Sequence, residues 1–411
     1  MRRTLLIGGV IILILIVGMV GYWFVFRNQT GSSSTNTPNN TQFPDNTGSN
    51  STNNSLPTDL SSGVNSDNGS VLKLKKNEPI LAYFVNTKGE ITIIEPDGKI
   101  LALNNQGSPT TLSVTVIPDM QSASFSADGQ KVLAAFGTET TLYSVFEFTK
   151  KTWRPLTTGI QSPVWSPSGS KLAYLLPGRT NTSILTLDLA VSSAKPQELL
   201  RITAENIELA WPDVSRLLLT TPASAKVASS LWNFDLKTRR LTALIEDYAG
   251  LETLWSSFSN RGIIFHSLAN ERGGELVLFT PSPAASRNFS LLTLPDKCIF
   301  GTELPPAPTS SISSTSSKTT APKKVVPEEY IYCAVPRDRE ALTNAILPDE
   351  YIMHALFTED NFYKIKVADG NLSPIFVSGQ PIDALNLKLI NNELFFINRF
   401  DSKLYSVTLP H

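Results

Sequence analysis

The chain has 411 residues, enough for two or three average domains or for one large repeat architecture. Its 35 Lys and Arg balance 36 Asp and Glu, so no net field draws it to a polyanion and no nucleic-acid partner is expected. The 3 histidines and 2 cysteines form no Cys-x-x-Cys or His-Glu-x-x-His arrangement, which removes the common zinc motifs and leaves no metal or cofactor expected.

In chain order, residues 1–3 read as a short cytoplasmic tail and residues 4–26 as a transmembrane helix. Thr4 to Phe26 carries no charge and is long enough, at about 1.5 Å per residue, to cross about 30 Å of hydrocarbon. Arg2 and Arg3 precede the run, and Tyr22, Trp23 and Phe26 end it, so the rule of cytoplasmic positive charge places everything after Arg27 outside. The competing reading is a cleaved signal peptide. Its apolar region is usually about 7–15 residues and ends in small residues, whereas this run is longer and ends in bulky aromatics.

Residues 27–71 are dominated by Asn, Ser, Thr and Gly and read as a disordered linker, because too few apolar side chains are present to offset the entropy of ordering. As a flexible coil of roughly 45 residues its ends lie about 35–40 Å apart. The Asn-x-Ser/Thr triplets within it, such as Asn50 to Thr52, arise readily in such a composition.

Residues 72–411 contain a repeat. Four segments align on an aromatic residue: "ASFSADGQKVLAAF" at Phe125, "PVWSPSGSKLAYLL" at Trp165, "LAWPDVSRLLLTT" at Trp211 and "TLWSSFSNRGIIFHS" at Trp255, spaced by 40, 46 and 44 residues. Such a period fits the four-stranded blade of a β-propeller. In three of the copies the aromatic is followed by Gly129, Gly169 or Gly262, read as hairpin-turn glycines. Apolar runs such as "KLAYLL" then suit strands sandwiched between blades, and the four aromatics are expected to pack there as blade-core residues. Starts near Ile80, Ala123, Pro163, Ile207, Leu251, Cys298 and Ile382 give an all-β propeller of seven four-stranded blades, with six or eight left open by the weak last two units. A Pro/Ser/Thr-rich insertion at about 302–327 reads as a disordered loop.

The "FSADGQKVLAAF…LYSVFEF" and "WSPSGSKLAYLL…ILTLDL" pattern resembles the WD40-like (PD40) repeats of the TolB-type propellers of bacterial envelopes, and more loosely the propeller domains of prolyl-oligopeptidase-like peptidases. The resemblance is clear over Ala123 to Thr280. It departs at "WPDVSRLLL" and "SSFSNRGIIF", where the turn glycine is lost or displaced, and the Gly-His and Trp-Asp dipeptides of true WD40 repeats are absent. It implies a propeller fold and a habit of binding proteins.

Chemistry is sparse. No Gly-x-Ser-x-Gly elbow accompanies the peptidase resemblance. His266, His354 and His411 lie far apart, and Asp188 and Asp235 occupy matching repeat positions, which favours a structural role. Cys298 and Cys333 flank the insertion; outside the cytoplasm they form a disulfide candidate, worth roughly 3–4 kcal/mol for a loop of about 35 residues, against the alternative of two buried thiols. The expectation is therefore a membrane-tethered, extracytoplasmic propeller that is not an enzyme and serves as a platform for an envelope protein partner. The alternatives are a propeller enzyme acting on an envelope carbohydrate or peptide, and a structural component of a larger envelope assembly.

Overall fold

Ser126, Asp128 and Gly129 close the first aligned turn through their own hydrogen bonds. Gly129 N–H donates to Ser126 O at 2.8 Å, and Asp128 Oδ1 accepts from Ser126 Oγ at 2.6 Å and from Gln130 N–H at 3.0 Å. Gly129 holds φ +66, and a Cβ there would meet the Phe84 ring at 2.2 Å, so both backbone and packing require glycine. The Ser166–Gly169 turn repeats the bond at 2.9 Å. Gly262 differs from the expectation. It opens the strand Gly262–His266 without a left-handed φ, and its missing Cβ makes room for the Trp255 ring, 2.8 Å from where that atom would stand.

The computed structural model describes residues 64–65, 69–104, 108–191, 193–204, 206–281, 284–303 and 327–410. Such hairpins build seven antiparallel sheets, the blades of a propeller. Blade I runs from Ala82 to Ser113, II from Met120 to Pro155, III from Gln161 to Ile202, IV from Glu208 to Ala249, V from Glu252 to Asn288 and VI from Cys298 to Phe376, each with four strands in sequence order. Blade VII takes three strands from the C-terminal region, Ala384–Ile390, Glu393–Asn398 and Lys403–Thr408, and a fourth, Val71–Lys76, from before blade I. That strand pairs Leu72 with Val407 and Leu74 with Tyr405, so the two ends of the described fold close the ring together. Val64–Asn65 adds a further edge pairing, Val64 with Leu72, inside the stretch read as linker.

The first strands touch between blades I and II, III and IV, V and VI, and VI and VII, which makes them the innermost strands, around the central channel of a propeller. All begin on one face, the entry face, and end on the other. The second-to-third strand loops share the entry face, and the aromatic-plus-turn motifs lie on the opposite one. Between blades the apolar runs meet: Tyr83, Ile93 and Leu101 pack on Phe395 and Ile397 across the closing seam. Of the four aligned aromatics Trp255 is buried, whereas Phe125, Trp165 and Trp211 are half-buried, because the ends of inner strands border the wet channel. Trp165 Nε1–H donates to Ser124 of the preceding blade at 3.2 Å.

Blade VI carries two insertions. On the entry face, residues 337–359 hold two short helices, Arg339–Asn344 and Asp349–Ile352, the first capped by Asp338 accepting from Ala341 N–H at 2.9 Å. On the opposite face the sheet extends further than the sequence indicated: Thr302 and Glu303 pair with Glu329 and Glu328, and residues 304–326 lie outside the described residues. Cys298 and Cys333 are directly cross-strand and bonded, S–S 2.10 Å. The bridge therefore closes the entry end of this hairpin, five residues or about 17 Å from where the insertion leaves, and does not pin the insertion's base. The expected tail 1–3, transmembrane span 4–26 and most of the linker also lie outside the described residues. Among the described residues no helix is long and apolar enough to cross a membrane.

Candidate functional site at the channel mouth

Three consecutive blades place a carboxylate where their inner strands begin. Glu208 opens the strand Glu208–Asp213 and Glu252 opens Glu252–Trp255. Asp296 sits in the single 3-10 turn Pro295–Lys297 that leads into Cys298–Glu303. The strand pattern explains the first of these: Leu209 is buried between blades, so its neighbours Glu208 and Ala210 face the channel.

Protein surrounds these groups while the channel keeps Glu208 and Asp296 in contact with water. Burial pushes the Glu252 carboxyl well above the ordinary carboxylate range, and the like charges of Asp296, Glu208 and Asp349 add to the effect. Its Oε2 is closed off and has no hydrogen-bond partner among the described residues. Burial also raises Asp296, opposed by neighbouring Lys297, and raises Glu208 with help from Asp296.

Lys297 has little charge to spare for them. Its ammonium donates to Asp360 at 2.7 Å and Asp383 at 2.6 Å, and to Tyr351 Oη and Thr358 Oγ1 at 3.1 and 3.0 Å. Burial alone would lower its pKa, but Asp360, Tyr351 and Asp383 outweigh burial and raise it. Arg399 completes the network at 3.0 Å from Asp383, its guanidinium 4.0 Å from the centre of the Tyr351 ring. Every buried charge here has a partner, so the network reads as structure: it ties blades VI and VII to the helical insertion.

That insertion roofs one side of the mouth. Asp349 accepts from Ser224 Oγ at 2.8 Å and Ala225 N–H at 2.6 Å in blade IV. Gly273 N–H of blade V donates to Ala345 O at 2.9 Å, and Arg399 of blade VII donates to Tyr351 O at 3.1 Å. Beside Glu208 a cavity of about 480 Å³ opens between blades III and IV, lined by Gln161, Ser162, Asn206 and Pro222. The mouth is therefore acidic and roofed on one side, with one carboxyl oxygen that has no partner among the described residues. It can accept hydrogen bonds from a cationic group, or hold a proton for exchange.

The residues singled out from sequence lie elsewhere. Phe125, Trp165, Trp211 and Trp255, with Gly129, Gly169 and Gly262, build the opposite end of the inner hairpins. Asp188 accepts from Ala190 N–H at 2.9 Å, and Asp235 from Lys237 and Thr238 N–H at 2.9 and 2.7 Å, so both are turn-forming. His266 packs edge-on against Tyr248, ring centres 4.9 Å apart, His354 lies near Phe357, and His411 is outside the described residues. Among the described residues no three His, Cys, Asp or Glu side chains are arranged to hold a metal ion.

No family model matches the sequence, and no curated protein matches it. Solved structures do. An oligogalacturonate lyase in complex with manganese superposes with TM-score 0.53 at 9% identity, over 84% of this chain and 95% of that one. A prolyl endopeptidase superposes with TM-score 0.50 at 10% identity, over 82% of this chain and 51% of that one. TolB from Acinetobacter baumannii gives TM-score 0.42 at 12% identity, over 75% of this chain and 66% of that one. At such identities the likeness establishes a fold held in common and no chemistry: the chain is a seven-bladed, all-β propeller.

Proposed function

We propose that this chain is a single-pass membrane protein, with its N-terminus cytoplasmic and its propeller extracytoplasmic, that binds an envelope protein partner through the entry face. The observation that carries the reading is that Glu208, Glu252 and Asp296, from three blades, lie near enough for their charges to raise one another's pKa, beside the cavity that Glu208 lines, while the nearby cation Lys297 is already engaged by Asp360 and Asp383. Carboxyl groups that resist ionising for want of a cation would ionise more readily beside one, which fits a partner that inserts a lysine, an arginine or an amino terminus, and the tether raises its local concentration. The disulfide agrees with an oxidising address.

The test is photo-crosslinking in cells from the full chain, with the reactive group placed at Asn206 on the rim of the recess. One envelope protein should be captured, and Glu208→Gln with Glu252→Gln and Asp296→Asn should abolish capture without loss of the folded state. Undiminished capture by the triple variant would remove the recess from the reading.

The same carboxylates favour a second reading, an enzyme acting on an envelope carbohydrate or peptide, since a carboxyl with a raised pKa can act as general acid near neutral pH. Turnover of cell-wall glycans or peptides that Glu252→Gln alone abolishes would establish it in place of the platform.

A further inference from the structure

A second recess lies across the channel, where blade VII meets blades I and II, and its chemistry is the opposite of the acidic mouth. The cavity, about 340 Å³, is walled by Phe84, Val85, Ala123, Phe125 and Ile390, with Lys388 supplying its one cationic group. The rings of Phe84 and Phe125 stack at 5.9 Å, inclined by 28°, and give the cavity an aromatic side.

Lys388 reaches this space because the strand Ala384–Ile390 is irregular. Its register against Glu393–Asn398 shifts between Leu385 and Lys388, and Asn386 takes φ +56, a conformation held by Tyr83 Oη–H donating to Asn386 O. A bulge of this kind re-aims the side chains that follow it. Asn386, Lys388 and Ile390 then share the cavity side. Lys388 is exposed along its side chain to the space it lines, the protein around it lowers its pKa, and among the described residues it makes no hydrogen bond and no ion pair. An amine that faces a cavity walled by aromatic and aliphatic side chains and has no counter-ion of its own is placed to pair with an anion that enters.

We propose that this cavity is a binding site for a small aromatic monocarboxylate, whose carboxylate pairs with Lys388 and whose ring lies against Phe84 and Phe125. The volume falls within the usual range for small-molecule sites, and so does the pattern of apolar lining with one fixed charge. A dianion is disfavoured, because the site offers a single cation. A neutral aromatic would leave Lys388 unpaired.

Phenylacetate is the probe, titrated calorimetrically into the purified full chain, with phenylacetamide as the uncharged isostere. Saturable binding at one site is expected, weakened about tenfold to a hundredfold for phenylacetamide and for Lys388→Met, the loss that goes with one charge-assisted hydrogen bond. Lys388→Arg should retain most of the binding. Ala123→Phe, which fills the cavity and leaves the amine in place, should abolish it, so the proposal does not depend on one variant folding. No saturable binding of phenylacetate, or binding that Lys388→Met leaves unchanged, would overturn it.

Discussion

Lys297 and Glu252 are both enclosed by protein, and they illustrate opposite ways of carrying a charge into a fold. Lys297 is surrounded by Asp360, Asp383, Tyr351 and Thr358, and removing it leaves buried Asp360 without a cation and Asp383 with Arg399 alone. Lys297→Met should therefore destabilise the protein by about 3–5 kcal/mol in urea denaturation. Replacing the exposed Lys150, paired only with Glu147 at 2.7 Å, should change stability by less than about 1 kcal/mol. Glu252 has no such partner. Its folded pKa lies well above the ordinary 4.5, so below the ordinary value both folded and unfolded chains hold the proton and the site costs nothing. As pH rises past it the unfolded chain ionises first, and stability falls until the folded pKa is passed. Glu252→Gln removes that dependence: variant and parent should differ least near about pH 4 and the variant should gain on the parent toward about pH 8. A difference independent of pH would show that Glu252 ionises as freely in the fold as in water. The carboxylates were partly legible in the repeat itself, since Glu208 and Glu252 each stand three residues before the blade's tryptophan, where the two preceding copies carry Ser122 and Ser162. Asp296 carries no such mark, because its blade has no tryptophan to align on.

Among the elements, those written in local chemistry could be read directly and those defined by distant pairing could not. The Asp128-Gly129 and Ser168-Gly169 turns announce themselves because a tight hairpin restricts which residues fit, and the apolar second strands follow from burial on both faces. The helices Arg339–Asn344 and Asp349–Ile352 escaped, being too short for a helical period to emerge. The strand Val71–Lys76 escaped for another reason. Its "VLKLKK" alternates weakly, it buries Leu72 fully and little else, and its partner Lys403–Thr408 lies at the far end of the sequence. Nothing local can report such a pairing, yet it supplies the outer edge of blade VII and joins the ends of the ring. Leu72, packed with Tyr405 and Val407 in one buried cluster, should carry much of that closure. Leu72→Ala is expected to cost about 2–5 kcal/mol, with hydrogen exchange accelerating first in the amides of residues 403–408, whose partners the closing strand provides. A cost below about 1 kcal/mol would mean that the ring holds without this seam.

For the whole molecule, a closed ring of seven blades accounts for how sites can be built from residues far apart in sequence. Glu208 and Asp296 approach each other because three inner strands share one wall, and Tyr83 meets Asn386 because blade VII abuts blade I. The ring also explains why most of the chemistry was invisible to motif reading: each blade contributes one residue to a recess, and no spacing within a blade records it. The proposed address is the claim with most leverage over function, since a cytoplasmic propeller would meet different partners and a reducing medium. The uncharged run from Thr4 to Phe26 behind Arg2 and Arg3 motivates it through the positive-inside bias, and the bonded Cys298–Cys333 pair belongs with an oxidising compartment. Protease added to intact cells should cut within the Asn/Ser/Thr-rich tract, where the composition offers no packed core to resist it. The closed propeller should then be released with a new N-terminus ahead of Val71, its hydrogen-bonded ring resisting further digestion except at the Pro/Ser/Thr-rich insertion of about 302–327. The span should stay with the membrane fraction, and the released fragment should yield Cys298 and Cys333 to alkylation only after reduction. A propeller protected until the cells are lysed would reverse the topology. A mature protein whose N-terminus already lies beyond Phe26 before any protease is added would replace the anchor with a cleaved leader.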